Sequence, residues 1–287
     1  MSALHTTLIT ADELAGIIDR CVLLDCRHDL FDPAKGQQEY QTSHLPGARF
    51  VSIDHDLAGM KGDGRRGRHP LPDRETLRQR LQSLGISDDT QIVAYDADTG
   101  TYAARLWWLA RWLGHEKVAV LEGGFKAWKA ASYPTSPENP AAPSPGKLTL
   151  RTPLEQAVAV EELLADQATR ALRVVDARAP ERYRGEVEPL DPVAGHIPGA
   201  FNRPLGLNLR PDGRFKPAPV LHDEFKALLG DSPMAMVVHS CGSGVSACHN
   251  LLAMRHAGLS GARLYAGSWS EWCADSSRPV AKGAAAG

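Results

Sequence analysis

The stretch Met236-Val-Val-His-Ser-Cys-Gly-Ser-Gly-Val-Ser246 decides the fold. The apolar run Met234 to His239 has the length of a buried strand. It passes through a glycine-rich turn straight into Val245 to Ala257, which reads as a helix stopped by Gly258. Outward from this stretch the alternation continues. Upstream, Val174-Val175 is a short buried strand ending at Asp176. Downstream, Arg263-Leu-Tyr265 is another strand, and Ser270 to Ala274 begins a short helix. Strands apolar on both faces, alternating with helices, predict an α/β fold with a parallel sheet covered on both sides. Sites in such sheets form at the carboxyl ends of the strands.

The same series of signals occurs earlier in the chain. Val22-Leu-Leu-Asp25-Cys-Arg27 returns as Arg173-Val-Val-Asp176-Ala-Arg178, and His44-Leu-Pro-Gly-Ala48 as His196-Ile-Pro-Gly-Ala200. Gln91 to Tyr95, then the helical Ala103 to Trp112 and the strand Lys117 to Leu121, parallel the second series. Gly123-Gly-Phe-Lys-Ala-Trp128 returns as Gly267-Ser-Trp-Ser-Glu-Trp272. Motifs in one order at nearly one offset mark a tandem duplication. The expected division is a first domain over 1–135, a linker over 136–147 and a second domain over 148–287. Five prolines between Pro134 and Gly146 rule out helix or central strand there and leave an extended, semi-rigid segment.

Composition excludes several classes. The 287 residues are 43% hydrophobic and 23% charged, ample for two globular cores. A net charge of −2 without a basic block argues against nucleic acid as a partner. No apolar stretch approaches the roughly 18 residues of a membrane span, and no signal-peptide pattern opens the chain. The five cysteines, Cys21, Cys26, Cys241, Cys248 and Cys273, are odd in number, scattered and without a CxxC pair. That is neither a disulfide framework nor a zinc site, so a reduced, cytoplasmic protein needing no metal or organic cofactor is expected.

Cys241 stands apart from the other four. Successive amides in a tight turn form an anion-binding nest, and a helix start adds its positive dipole end. Both favour thiolate over thiol, so Cys241 is the expected nucleophile. Gly242 and Gly244 give the turn its conformational freedom. Aligning Gly100 with Gly244 puts Ala97 opposite Cys241, which leaves the first repeat with the turn but no nucleophile. Cys248, two turns into the helix, reads as a core thiol, and His44 and His196 as structural residues tying loops. Trp128, Trp269 and Trp272 read as core aromatics. The run Lys61 to Arg68 reads as a solvated basic loop.

These motifs together resemble the two-domain rhodanese (sulfurtransferase) family over nearly the whole chain. The resemblance implies tandem rhodanese-like domains, each a parallel sheet with helices on both faces, the first inactive and the second catalytic. It implies that Cys241 takes a sulfane sulfur as a persulfide and passes it to a thiophilic acceptor such as cyanide, a thiol or a thioredoxin. The loop Cys241-Gly-Ser-Gly-Val-Ser-Ala247 is similar to the CGSGVTA loop of 3-mercaptopyruvate sulfurtransferases. Thiosulfate enzymes of the family carry two cations where this chain has Gly242 and Ser243. Mercaptopyruvate is therefore the expected donor and thiosulfate the alternative. The loop residues Gly242, Gly244, Val245 and Ser246 would hold the reacting sulfur.

Asp176-Ala-Arg-Ala-Pro-Glu-Arg182-Tyr-Arg184-Gly matches the family motif and places Arg182 on the substrate carboxylate. A second arginine, usual in the animal enzymes, is missing from 186–195, and Arg184 is the expected substitute. The resemblance further implies proton handling by Ser243, His69 and Asp54, and a substrate-facing Tyr102. A cysteine phosphatase would need an arginine where this chain has Ala247. A non-enzymatic sulfur carrier would be expected to have a degenerate loop.

Overall fold

The computed structural model describes residues 4–63 and 65–285. It contains two five-stranded sheets, parallel at every pairing. The first comprises β1 (Leu8–Ile9), β2 (Cys21–Asp25), β3 (Arg49–Phe50), β4 (Gln91–Tyr95) and β5 (Val118–Leu121), in the order β1-β5-β4-β2-β3. The second comprises β6 (Gln156–Val158), β7 (Arg173–Asp176), β8 (Phe201–Asn202), β9 (Val237–Ser240) and β10 (Arg263–Tyr265), in the order β6-β10-β9-β7-β8. The two orders are the same, so the duplication extends from motifs to topology. The central strands β4 and β9 are buried almost end to end, as covered parallel strands must be.

The recurring motifs build the same local devices twice. Arg27 forks onto Asp25 through Nε and Nη2, and Arg178 forks onto Asp176 in the same way. Each guanidinium then reaches a carbonyl further on, Ser43 O or Gly195 O, at 2.7 Å. His44 stacks on Tyr40 and bonds its carbonyl through Nδ1; His196 does the same with Tyr183. The two histidines thus hold loops, as read from the sequence. Trp128 and Trp272 are buried, and each indole donates to a proline carbonyl, Pro134 O and Pro279 O.

Two compact units emerge, and their boundaries differ from 1–135 and 148–287. One comprises Met1–Leu57, Pro72–Leu154 and Arg210–Phe215; the other comprises Ala58–Leu71, Glu155–Leu209 and Lys216–Gly287. The proline-rich segment lies along the first unit. Ser136 bridges His44, Gly146 N donates to Gln82 O, and Leu148 is buried. The segment Ala58–Leu71, which the sequence assigned to the first domain, belongs to the unit of the second repeat. Gly59 N donates to Pro70 O across its neck, and Arg68 N donates to Ser270 Oγ.

Two element boundaries also shift. Met234–Met236 forms a 3-10 turn closed by Met236 N on Pro233 O, so the strand starts only at Val237. The last short helix begins at Ser268, two residues before the expected Ser270. No helix among the described residues is long and apolar enough to cross a membrane.

Candidate active site

Cys241 follows directly on β9, at its carboxyl end, and is 1% exposed. Its amide donates to Ser268 Oγ at 3.0 Å, and the Gly244 amide donates to its Sγ at 3.1 Å. The loop is fastened from outside, with Trp269 N on Cys241 O and Ser270 N on Gly242 O, both at 2.9 Å. Gly244 sits at φ +76°, where a Cβ would lie 2.3 Å from Ala266 O, so only glycine fits. Gly242, Gly244 and Val245 are buried, Ser246 opens the helix Ser246–His256, and no side chain caps that helix. In its first turn the Cys248 amide donates to Val245 O at 3.0 Å.

Ser243 is 7% exposed and its Oγ lies 2.8 Å from His69 Nδ1. The pair expected from the resemblance is therefore assembled, with His69 carried on the segment Ala58–Leu71. Arg182 also converges on the loop. Its Nη2 and Nη1 lie 3.4 and 3.5 Å from the point where a Cβ on residue 242 would stand. Arg182 is not bare, for it donates to Glu188 through Nη2 at 2.7 Å and through Nε at 3.3 Å.

Arg184 does not join it. Its guanidinium forks onto Glu186 and it is partly exposed. The two-residue spacing from Arg182 places it round the short helix Pro180–Tyr183, away from the loop. The guanidinium that does stand beside Arg182 is that of Arg68, from the loop read as solvated. Sequence offered no motif for it.

Asp54 and Tyr102 belong to the first unit. There His28 meets Tyr102 edge-on at 5.0 Å between ring centroids, and its Nδ1 is 4.0 Å from Asp54 Oδ2. Cys248 is fully buried and donates to Gly244 O at 3.2 Å, an interior thiol as expected, although it stands in the first turn of the helix Ser246–His256 and not two turns in.

The first repeat needs a correction. Asp25 pairs with Tyr95, and the matching Asp176 pairs with Ser240. The residue after each strand is thus Asp96 in one repeat and Cys241 in the other. Ala97 is not the counterpart, because the first loop is one residue longer between the strand end and its left-handed glycine, Gly100 or Gly244. Phe125 N bonds Asp96 O just as Trp269 N bonds Cys241 O. The Asp96 carboxylate accepts from the amides of Asp98, Gly100 and Tyr102 at 2.8 to 3.2 Å. Burial pushes its carboxyl up, against those amides. The first repeat therefore fills its own turn with a side-chain carboxyl. Beside it lies a cavity of about 540 Å³ lined by Arg27, Lys35, Lys126, Lys129 and Ala97 among others.

A cysteine at the end of a parallel strand, with one amide aimed at its sulfur and two guanidiniums beside its loop, is an arrangement suited to thiol chemistry on an anionic ligand. The Rhodanese-like domain matches residues 10–131 and 159–275, and the chain belongs to the rhodanese family. It is 47% identical to a probable 3-mercaptopyruvate sulfurtransferase of Pseudomonas aeruginosa, covering 96% of this chain and 98% of that one. It is 41% identical to a putative thiosulfate sulfurtransferase of Mycobacterium tuberculosis, covering 99% and 100%. The 3-mercaptopyruvate sulfurtransferase structure from Leishmania major matches with a TM-score of 0.83 at 29% identity, over 93% of this chain and 74% of that one.

Proposed function

We propose that the protein moves a sulfane sulfur from 3-mercaptopyruvate, through a persulfide on Cys241, to a thiophilic acceptor, and releases pyruvate. The Cys241 loop carries this reading: Gly244 N–H points at Sγ, two uncharged residues follow, and Ser243 is paired with His69.

In the first half-reaction the Cys241 thiolate attacks the donor sulfur. An S–S bond forms, the C–S bond breaks, and its electron pair stays on the methylene carbon as the enolate of pyruvate. A proton delivered through Ser243, with His69 behind it, completes pyruvate. The terminal sulfur keeps its negative charge among the loop amides. In the second half-reaction cyanide or a thiolate attacks that sulfur, and the S–S electron pair returns to Cys241.

Thiosulfate is the second reading. The guanidiniums of Arg68 and Arg182 beside Gly242 favour it, since they bring cations near a loop that has none of its own. Mercaptopyruvate is preferred because both cations are already paired with carboxylates, Arg182 with Glu188 and Arg68 with Asp191. That leaves less net charge for a dianion than two lysine-like side chains in the loop itself would supply.

Incubation with 3-mercaptopyruvate and no acceptor should add about 32 Da to Cys241, one sulfur atom, with one pyruvate released per site. Cys241→Ser should show neither. Persulfide formation on another cysteine, or turnover by the serine variant, rejects the mechanism. A kcat/KM ratio favouring thiosulfate transfers the assignment to the second reading.

A further inference from the structure

We propose that the first repeat binds a phosphate ester in the cavity beside Asp96, a site independent of the chemistry at Cys241. The cavity has about 540 Å³, within the range of small-molecule sites. It opens at the carboxyl ends of β2 and β4, since Arg27 and Ala97, two residues past each strand, both line it. Ligands gather at such strand ends in open parallel sheets. Its described lining residues all belong to the first unit.

The two repeats differ in one respect at this place. In the second, Arg178 spends Nε and Nη2 on Asp176, Nη2 again on Gly195 O, and Nη1 on Glu188 at 3.3 Å. In the first, Arg27 makes the same contacts with Asp25 and Ser43 O, but its Nη1 meets no acceptor among the described residues. Arg27 is 4% exposed, and Nη1 is not among the sealed polar atoms. What remains accessible is therefore a guanidinium edge turned to the cavity. It has no carboxylate to receive its N–H groups, and a nearly buried donor without a partner is costly to leave so.

Two ammonium groups complete the set. Lys126 and Lys129 stand three apart on the helix Gly124–Ala130, and so on one face. Lys126 N donates to Ala97 O at 2.9 Å, which fastens that helix to the loop of Asp96. The Lys126 side chain makes no ion pair or hydrogen bond among the described residues. Lys129 Nζ lies 5.1 Å from the ring centre of Phe125, without a carboxylate partner among those residues. Lys35 is already paired with Asp29 at 2.8 Å, and Glu39 is the acid of the lining. Asp96 occupies the amides of its own turn, so an entering anion meets side chains instead. Three uncommitted donors, one of them planar, suit a dianion with several oxygens, which a phosphate monoester supplies and a monocarboxylate does not. Phe125 and the lysine stems give the organic part an apolar wall.

Titration calorimetry of the whole chain with ribose 5-phosphate, at fixed ionic strength, tests this. Lys126→Gln combined with Lys129→Gln, both exposed positions, should weaken binding roughly ten- to a hundredfold. Lys147→Gln, an exposed lysine elsewhere in the same unit, should leave it within about twofold. Amide NMR shifts on binding should centre on Ala97 and Lys126. Inorganic phosphate should bind more weakly than the ester, because it reaches no apolar wall. No heat and no shift at about millimolar ester overturn the proposal. Binding that the lysine pair leaves unchanged does so too, as does equal affinity for inorganic phosphate. Binding lost in Arg182→Gln but kept in the lysine pair would put the anion beside Cys241 and reject the site.

Discussion

Removing the Ser268 hydroxyl should loosen the nucleophile's loop without touching the nucleophile. Ser268 is fully buried; its Oγ accepts from Cys241 N at 3.0 Å and donates to Tyr265 O at 2.8 Å. In Ser268→Ala both partners lose this hydrogen bond while buried, at about 1–2 kcal/mol each, the lower part of the usual penalty, so a total of about 2–4 kcal/mol is expected. Ser268 also sits at φ +54°, which costs a residue with a Cβ roughly 1–2 kcal/mol. Ser268→Gly loses the same hydrogen bonds but sheds that strain, as Gly124 does at φ +56° in the first repeat.

The glycine variant should therefore be the more stable of the two by about 1 kcal/mol. Two compact units make a single global midpoint ambiguous, so hydrogen exchange of the peptide spanning 237–248 is the better assay. Its opening should rise roughly thirty- to a thousandfold in Ser268→Ala. Exchange within about threefold of the unmodified protein, or a glycine variant less protected than alanine, refutes the reasoning.

Two further outcomes follow from the geometry. His69→Asn removes the partner of Ser243, so kcat with mercaptopyruvate should drop by about 10²–10⁴, while transfer from a preformed Cys241 persulfide to cyanide, which needs no proton on carbon, should keep its rate. His239, buried beside Arg203, is pushed down to about 3, chiefly by burial and then by the arginine's charge. The folded ring stays neutral while the unfolded chain takes a proton below about 6.5. The stability it contributes is thus whole above that pH and lost as the pH falls towards 3, at no more than about 1.4 kcal/mol per unit. Urea titrations between pH 7 and 4 should show a shallower acid slope in His239→Gln; an unchanged slope removes His239 from the account.

Much of this was legible in the residues. The period of the apolar runs set the parallel sheet, the repeated Asp-x-Arg and HxPGA motifs set the duplication, and the Gly-x-Gly turn singled out Cys241. What stayed hidden has a common cause. Aligning Gly100 with Gly244 assumes loops of equal length, whereas the pairings of Asp25 with Tyr95 and of Asp176 with Ser240 show one extra residue in the first loop. Strand register is fixed by neighbours distant in sequence, which a local motif does not record. The place of Arg68 is hidden for the same reason. Its Gly- and Arg-rich surroundings look like a solvated loop, and only Ser270 and Asp191, far along the chain, give it a place. Arg184, by contrast, lay inside a matching motif and still turned out to face Glu186.

The segment Ala58–Leu71 has a consequence for ancestry and for engineering alike. It is encoded within the first repeat but counted among the neighbours of the second, and it brings Arg68 and His69 with it. The copy that has Asp96 where the other has Cys241 thus supplies residues of the segment around Cys241. Cutting the gene between the two motif series would therefore not yield the two compact units, because a stretch of the second lies inside the first series.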